Sequence, residues 1–289
     1  MDTVLSFQDR QVRIGPEHPF VIIGERINPT RRKKLLETMA RGDFSVALDD
    51  ARAQIAAGAQ ALDVNAGVPG ADEPKLLADL TRTIMQAVDV PLCFDSANPV
   101  ALEAALANYE GKALSNSTTG EEKMLNAVLP LAAKYQAAVI GVVTDETGVP
   151  AMPEARLAVA RKIVQRAADY GIPAQDIIID CLALAVSADS NAGRVTLDTM
   201  QLVRTALGVN LSLGASNVSF GLPDRKTINA AYLALGIARG LTAVITDPTV
   251  PELRNTILAC DLLMGHDEYA MRWIKAYRAA QKAAARVGA

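Results

Sequence analysis

The chain has 289 residues, half of them hydrophobic, with 21% charged residues and a net charge of −3. That length suits a single α/β barrel, and the mild acidity argues against a nucleic-acid partner or an anionic membrane surface. With no apolar run of about 18 residues and no charged-then-apolar leader, a soluble cytoplasmic protein with no membrane partner is expected.

Short apolar runs alternate with longer Ala-rich stretches of helical period. The first strand is FVIIGE (20–25), and a helix spans Ser45 to Ala57, closed by Gly58. QALDVN (60–65) is the second strand, followed by a helix from Glu73 to Val88. PLCFD (91–95) is the third; Asn98 as cap and Pro99 at the first helical position then start a helix to Tyr109, since proline lacks an N–H that would be unpaired there anyway. KALSNS (112–117) precedes a helix from Glu121 to Gln136, and AVIGVVTD (138–145) one from Pro153 to Tyr170. DIIIDC (176–181) leads to a helix from Leu197 to Leu207, and NLSLGASN (210–217) to one from Lys226 to Arg239. TAVITD (242–247) is the eighth strand, with a helix from Pro251 to Met264 and a last helix over 267–285. Eight strand–helix units predict one (β/α)8 TIM barrel over 1–289, with its core at about 20–265.

Nearly every predicted strand ends in a polar residue: Glu25 and Asn28, Asp63 and Asn65, Asp95, Asn116, Asp145, Asp180, Asn217 and Asp247. A barrel of this kind brings those ends to one face, where its enzymes bind substrate. Asp and Asn are also good caps and turn formers, which explains Asn98 before Pro99 and Asp247 before Pro248. Asp95 is different, because a better-placed cap lies three residues on. Carboxylates bind hard cations too, but no D-x-D pair appears and no H-x-E pair stands at a strand end, so no metal is expected. The two histidines, His18 and His266, are too few for most His-metal or Ser-His-Asp schemes. Cys93, Cys181 and Cys260 are widely spaced, which argues against a cysteine zinc site and fits a reducing compartment.

In order along the chain stand GERINP (24–29), ALDVNAG (61–67), LCFDSANP (92–99), LSNSTTGEE (114–122), TDETGVP (144–150), IIIDCLALAVS (178–187) and LGASNVSFGLPDR (213–225). Together they resemble the pterin-binding barrel methyltransferases, which include methyltetrahydrofolate:corrinoid protein methyltransferases and the folate domain of cobalamin-dependent methionine synthase. The resemblance implies methyl transfer between N5 of (methyl)tetrahydrofolate and the cobalt of a corrinoid (cobalamin) carried on a partner protein. It also implies a homodimer, with Asp95, Asn116, Asp180 and Asn217 as the pterin-binding positions and Asn217 as the catalytic one. The chemistry fits: ionised carboxylates are acceptor-only and match the amino and ring N–H donors of a pterin edge. A carboxamide such as Asn217 can accept from a protonated N5 and donate to a neutral one. Asp63, Asn65, Ser219, Glu25 and Asn28 are read as supporting residues.

The chain lacks D-x-H-x-x-G, the usual cobalamin-module signature, so the corrinoid must come from a partner. A dihydropteroate synthase is the nearest rival, but GERINPTRR stands where N-x-T-P-D-S-F is expected. A folate-binding module without turnover is the rival from another class. The basic run RRKK (31–34) is read first as a solvated helix start and second as a contact for a folate glutamate tail or an acidic partner.

Overall fold

The computed structural model describes residues 1–287, with side chains placed through Lys282. It opens with a hairpin that the strand–helix pattern did not announce: β1 (Thr3–Phe7) and β2 (Arg10–Ile14) pair antiparallel across Gln8–Asp9. Gln8 takes the left-handed conformation (φ 50°) that so tight a turn requires.

Eight strands then build the barrel: β3 (Val21–Ile27), β4 (Ala61–Val64), β5 (Leu92–Asp95), β7 (Leu114–Thr119), β8 (Ala138–Val142), β9 (Ile177–Asp180), β10 (Asn210–Ser212) and β11 (Ala243–Thr246). Their order is β10-β9-β8-β7-β5-β4-β3-β11 and every pair is parallel. Thr242 N and Ile245 N donate to the Leu211 and Leu213 carbonyls at 3.2 and 3.0 Å, which brings the two ends of the sheet together. The predicted fourth strand divides: β6 (Gly111–Lys112) joins the hairpin against β1, and only Leu114 onward enters the barrel. Gly111 is required there, because at φ 143° a Cβ would sit 2.2 Å from the Ser6 carbonyl oxygen.

Period-two alternation divides the core. Val21, Ile23, Ala61, Cys93, Leu114, Ala138, Ile140, Ile178 and Ala243 form the inner cluster, and Leu5, Val12 and Ile14 of the hairpin pack into it. The hairpin therefore stops the barrel at the end where the strands begin. Asn210 ties it down, donating to Ile14 O at 2.8 Å and to Thr3 Oγ1 at 3.0 Å. The outward strand residues pack under the helices in a second, larger cluster that includes Ile22, Leu62, Phe94 and Ile179.

Those helices are α1 (Lys33–Met39), α2 (Ser45–Ala56), α3 (Glu73–Met85), α4 (Pro99–Leu106), α5 (Glu122–Lys134), α6 (Pro153–Asp169), α7 (Ala192–Leu207), α8 (Arg225–Ala238), α9 (Pro251–Leu263) and α10 (Met271–Val287). Most agree with the predicted ranges within three residues at each end. The seventh begins five residues early, because Ala192 and Thr196 are buried and extend its apolar face through the polar run before Leu197. Asn98 caps α4 as expected, accepting from Val100 N at 3.1 Å. The seventh predicted strand, 210–217, stops at Ser212 and continues as a 3-10 turn, Ala215–Ser219, which carries Asn217. Among the described residues no helix is long and apolar enough to cross a membrane.

Candidate active site

A cavity of about 540 Å³ opens where the strands end, lined by Asp63, Asp95 and Asn116 on one side and Asn217, Glu25 and Asp247 on the other. Asp63, Asp95 and Asn116 come from adjacent strands β4, β5 and β7, with Asp95 in register with Asn116. Amides hold the acids in place. Asn116 Nδ2 donates to Asp63 Oδ1 at 3.0 Å, and Asn65 Nδ2 and Asn28 Nδ2 donate to Asp95 Oδ2 at 3.0 and 3.3 Å. Asn28 also orients its own loop, its Oδ1 accepting from Thr30 N at 3.0 Å. Those bonds engage one oxygen of each acid and leave acceptor capacity on the cavity side.

Burial raises the pKa of both acids; Asp95 adds to the shift at Asp63 by like-charge repulsion, and Asn116 and Asn65 only partly offset it. The pair therefore retains a proton into the neutral range. Asp180, at the end of β9, is pushed up to about 6 by burial, against the opposing pull of the Leu182 and Gly214 N–H groups and Arg156. Leu182 N donates to its Oδ1 at 2.7 Å. Asp180 and Asn65 stand behind the cavity lining, whereas Asp95, Asn116 and Asn217 form part of it.

The Asn217 carboxamide makes no hydrogen bond among the described residues, and it faces the cavity from the 3-10 turn. Ser219 is fully buried, and its hydroxyl accepts from Arg225 Nε at 3.0 Å. Asp145 lies in its own turn, accepting from Thr147 N and Oγ1 at 2.9 and 2.7 Å.

Arginines surround the acids at the mouth. Arg26 bridges Asp50 at 2.9 Å and Asp247 at 2.8 Å, and Arg32 pairs with Asp50 at 2.5 Å. Gly24 leaves room for Gln54, whose Oε1 would lie 2.4 Å from a Cβ there and which accepts from Arg26 N at 2.9 Å. Burial works against ionisation of Asp247, but bonds from Thr249 and Arg26 outweigh it and hold its carboxyl below the usual range. Half-exposed Phe220 lies between the guanidiniums of Arg31 and Arg225, 4.9 and 5.4 Å from its ring centre. The basic run thus divides in function: Arg31 and Arg32 reach the mouth, and Lys33 begins α1.

Arg156 gave no sequence signal, since it reads as one more charge on a helix. It is buried to within 2% and donates to the carbonyls of Pro150, Cys181 and Leu182 at 2.9, 3.0 and 3.0 Å. Leu182 is left-handed (φ 55°), a costly conformation for a γ-branched side chain, and its N–H orients Asp180. Arg156 therefore secures the peptide that aims Asp180. Arg156→Met strands these carbonyls, each costing roughly 1–3 kcal/mol when buried unpaired. A fall in Tm of several degrees is expected by calorimetry, and an unchanged Tm would show that the carbonyls find other donors.

The chain matches the family described as "Pterin binding enzyme" over residues 24–247. It is 30% identical over 264 residues to the methylcorrinoid:tetrahydrofolate methyltransferase of Eubacterium limosum, covering 89% of this chain and 96% of that one. The methionine synthase of Mycobacterium leprae is 29% identical over 241 residues, covering 78% of this chain but 20% of that protein. Among solved structures, Yersinia pestis dihydropteroate synthase with a pterine-sulfa conjugate superposes with a TM-score of 0.70 over 91% of this chain and 99% of that one, at 15% identity, a likeness of fold. With the barrel, the acid-and-amide mouth and the family match in agreement, this chain belongs to the pterin-binding enzymes.

Proposed function

We propose that the protein is a methyltransferase that exchanges a methyl group between N5 of methyltetrahydrofolate and the cobalt of a corrinoid carried by a separate protein, acting as a cytoplasmic homodimer. One observation carries the reading: a buried acid pair and an unengaged carboxamide, Asn217, face each other across one cavity. Asp95 and Asn116 recognise the pterin from the lining, with Asp63 as a further acceptor beside Asp95 and Asp180 reaching the ring from behind the lining. Asn65 and Asn28 hold Asp95 from behind. The similarity to the Eubacterium limosum methyltransferase over 96% of that protein supports the methyl-transfer reading.

The chemistry asks little of the protein beyond placement. A methyl group leaves a neutral tertiary amine badly, because the nitrogen would depart as an anion. N5 must gain proton character as the bond breaks, and a carboxamide can stabilise that change by reversing its hydrogen bond. Holding the pterin while the corrinoid docks turns an encounter in solution into a reaction between positioned groups, which accounts for much of the rate in such systems.

Mixing the protein with methyltetrahydrofolate and cob(I)alamin, free or protein-bound, tests the proposal. Methylcobalamin and tetrahydrofolate are expected in equal amounts, followed by absorbance and mass spectrometry. Tight folate binding with no exchange at any protein concentration would instead favour a binding module without turnover.

A further inference from the structure

We propose that Glu25 is the proton donor and acceptor for the folate nitrogen. The inference rests on the methyl-transfer reading and extends it to the group that supplies the proton. Asn217, the residue placed at N5, cannot supply one, because a carboxamide does not titrate in this range. Glu25 lines the same cavity. Strand register brings their segments together: Ile245 of β11 is in register with Ile23 of β3 on one side and with Gly214, after β10, on the other. Two residues beyond Ile23 is Glu25, and three beyond Gly214 is Asn217. Both side chains line the cavity, as does Ile245.

Glu25 also differs from its neighbours. Asp63, Asp95, Asp180 and Asp247 each accept hydrogen bonds from the protein. The Glu25 carboxyl makes none among the described residues, although it is partly buried. Such a group is costly as a mere structural element and useful as a mobile proton.

The charged groups around it suit that role. Asp247 faces Glu25 from the loop after β11 and, with burial, disfavours its ionised form; Asp63 on β4 is a further acid nearby. Arg225 at the start of α8 and Arg26 on β3 stabilise the carboxylate once it forms. Asp50 of α2, which packs against β3, is occupied by Arg26 and Arg32. Burial first, and Asp247 second, push the Glu25 carboxyl up to about 7, so both its forms are present at neutral pH.

The step balances. In demethylation the N5–methyl bond breaks and leaves its electron pair on nitrogen, while the corrinoid cobalt supplies the pair for the new bond to carbon. The Glu25 proton passes to N5, leaving a carboxylate opposite Arg225 and Arg26. In the reverse direction that carboxylate takes the proton from N5–H as nitrogen attacks the methyl group.

Single-turnover kinetics with Glu25→Gln and Glu25→Asp, beside calorimetric titration of methyltetrahydrofolate, tests the proposal. Demethylation by the wild type is expected to fall as pH rises through about 7. Glu25→Gln should be slower by about a hundredfold and lack that limb, with folate affinity nearly unchanged, and Glu25→Asp should recover part of the rate. A Glu25→Gln enzyme with the wild-type pH profile, or one losing affinity and rate in proportion, overturns the assignment. Carboxyl-carbon NMR of the protein alone gives a second reading: a resonance titrating near 7 that is absent in Glu25→Gln is expected. If the wild type transfers no methyl group to any corrinoid, the parent reading fails. In that case a Glu25 resonance that methyltetrahydrofolate shifts keeps the residue in the site, and one it leaves unmoved removes it.

Discussion

Methyl transfer by Asn217→Ala is expected to be slower by about a hundredfold, while methyltetrahydrofolate binds within about threefold of the wild type. A hundredfold is about 2.7 kcal/mol of barrier, within reach of one hydrogen bond that strengthens as N5 gains its proton. Ground-state binding depends on the opposite side of the cavity, where Asp95 and Asn116 lie, and the Asn217 side chain makes no bond among the described residues whose loss could disturb them. Rapid-mixing kinetics and calorimetry on the same preparation give both quantities. Equal losses of rate and affinity would mean that Asn217 only holds the pterin, and the N5 role would be withdrawn.

Asp95→Asn is expected to weaken methyltetrahydrofolate binding roughly tenfold to a hundredfold, the worth of one hydrogen bond to a charged acceptor. It should also change how binding depends on pH. Asp63 and Asp95 are raised above the ordinary carboxylate range by burial, with Asp95 adding to the shift at Asp63 and Glu73 to that at Asp95. For a raised acid, the favourable protonated state is fully present below the unfolded value of about 4 and is lost as pH rises through the raised folded value. The free protein is thus destabilised across that window. A ligand presenting N–H donors favours the ionised pair, so binding should release a proton and tighten as pH rises from 6 to 8. Calorimetry in buffers of different ionisation enthalpy measures that proton. In Asp95→Asn one carboxyl of the pair is gone, so the release should shrink and the pH dependence flatten. An affinity unchanged by the substitution would remove Asp95 from the ligand.

The barrel was legible because each strand is a short apolar run and each helix a longer periodic one, with Pro99, Pro153 and Pro251 marking first turns. The hairpin was not, because TVLSF and RQVRI mix polar and apolar residues as a two-faced sheet does. The spacing of Leu5 and Phe7, and of Val12 and Ile14, on either side of Gln8–Asp9 was the available signal. Of the site, the acids and amides could be read from strand ends, since topology alone brings strand ends together. What they bond to could not. The pairing of Asn116 with Asp63 and of Asn65 with Asp95 depends on register between strands far apart in sequence. Arg26 and Arg156 escaped notice for a related reason: the partners that define them lie in other segments, among them Asp247 and Cys181.

The stopper that Leu5, Val12 and Ile14 form at the base has a further meaning. A cylinder blocked below has one doorway, so two reactants must share it and cannot approach from opposite sides. On the proposed reading folate sits at the acids, inside the mouth, with its N5-methyl turned outward to the cobalt. It would then enter before the docking partner and depart after it, which makes the sequence of arrivals a property of the architecture.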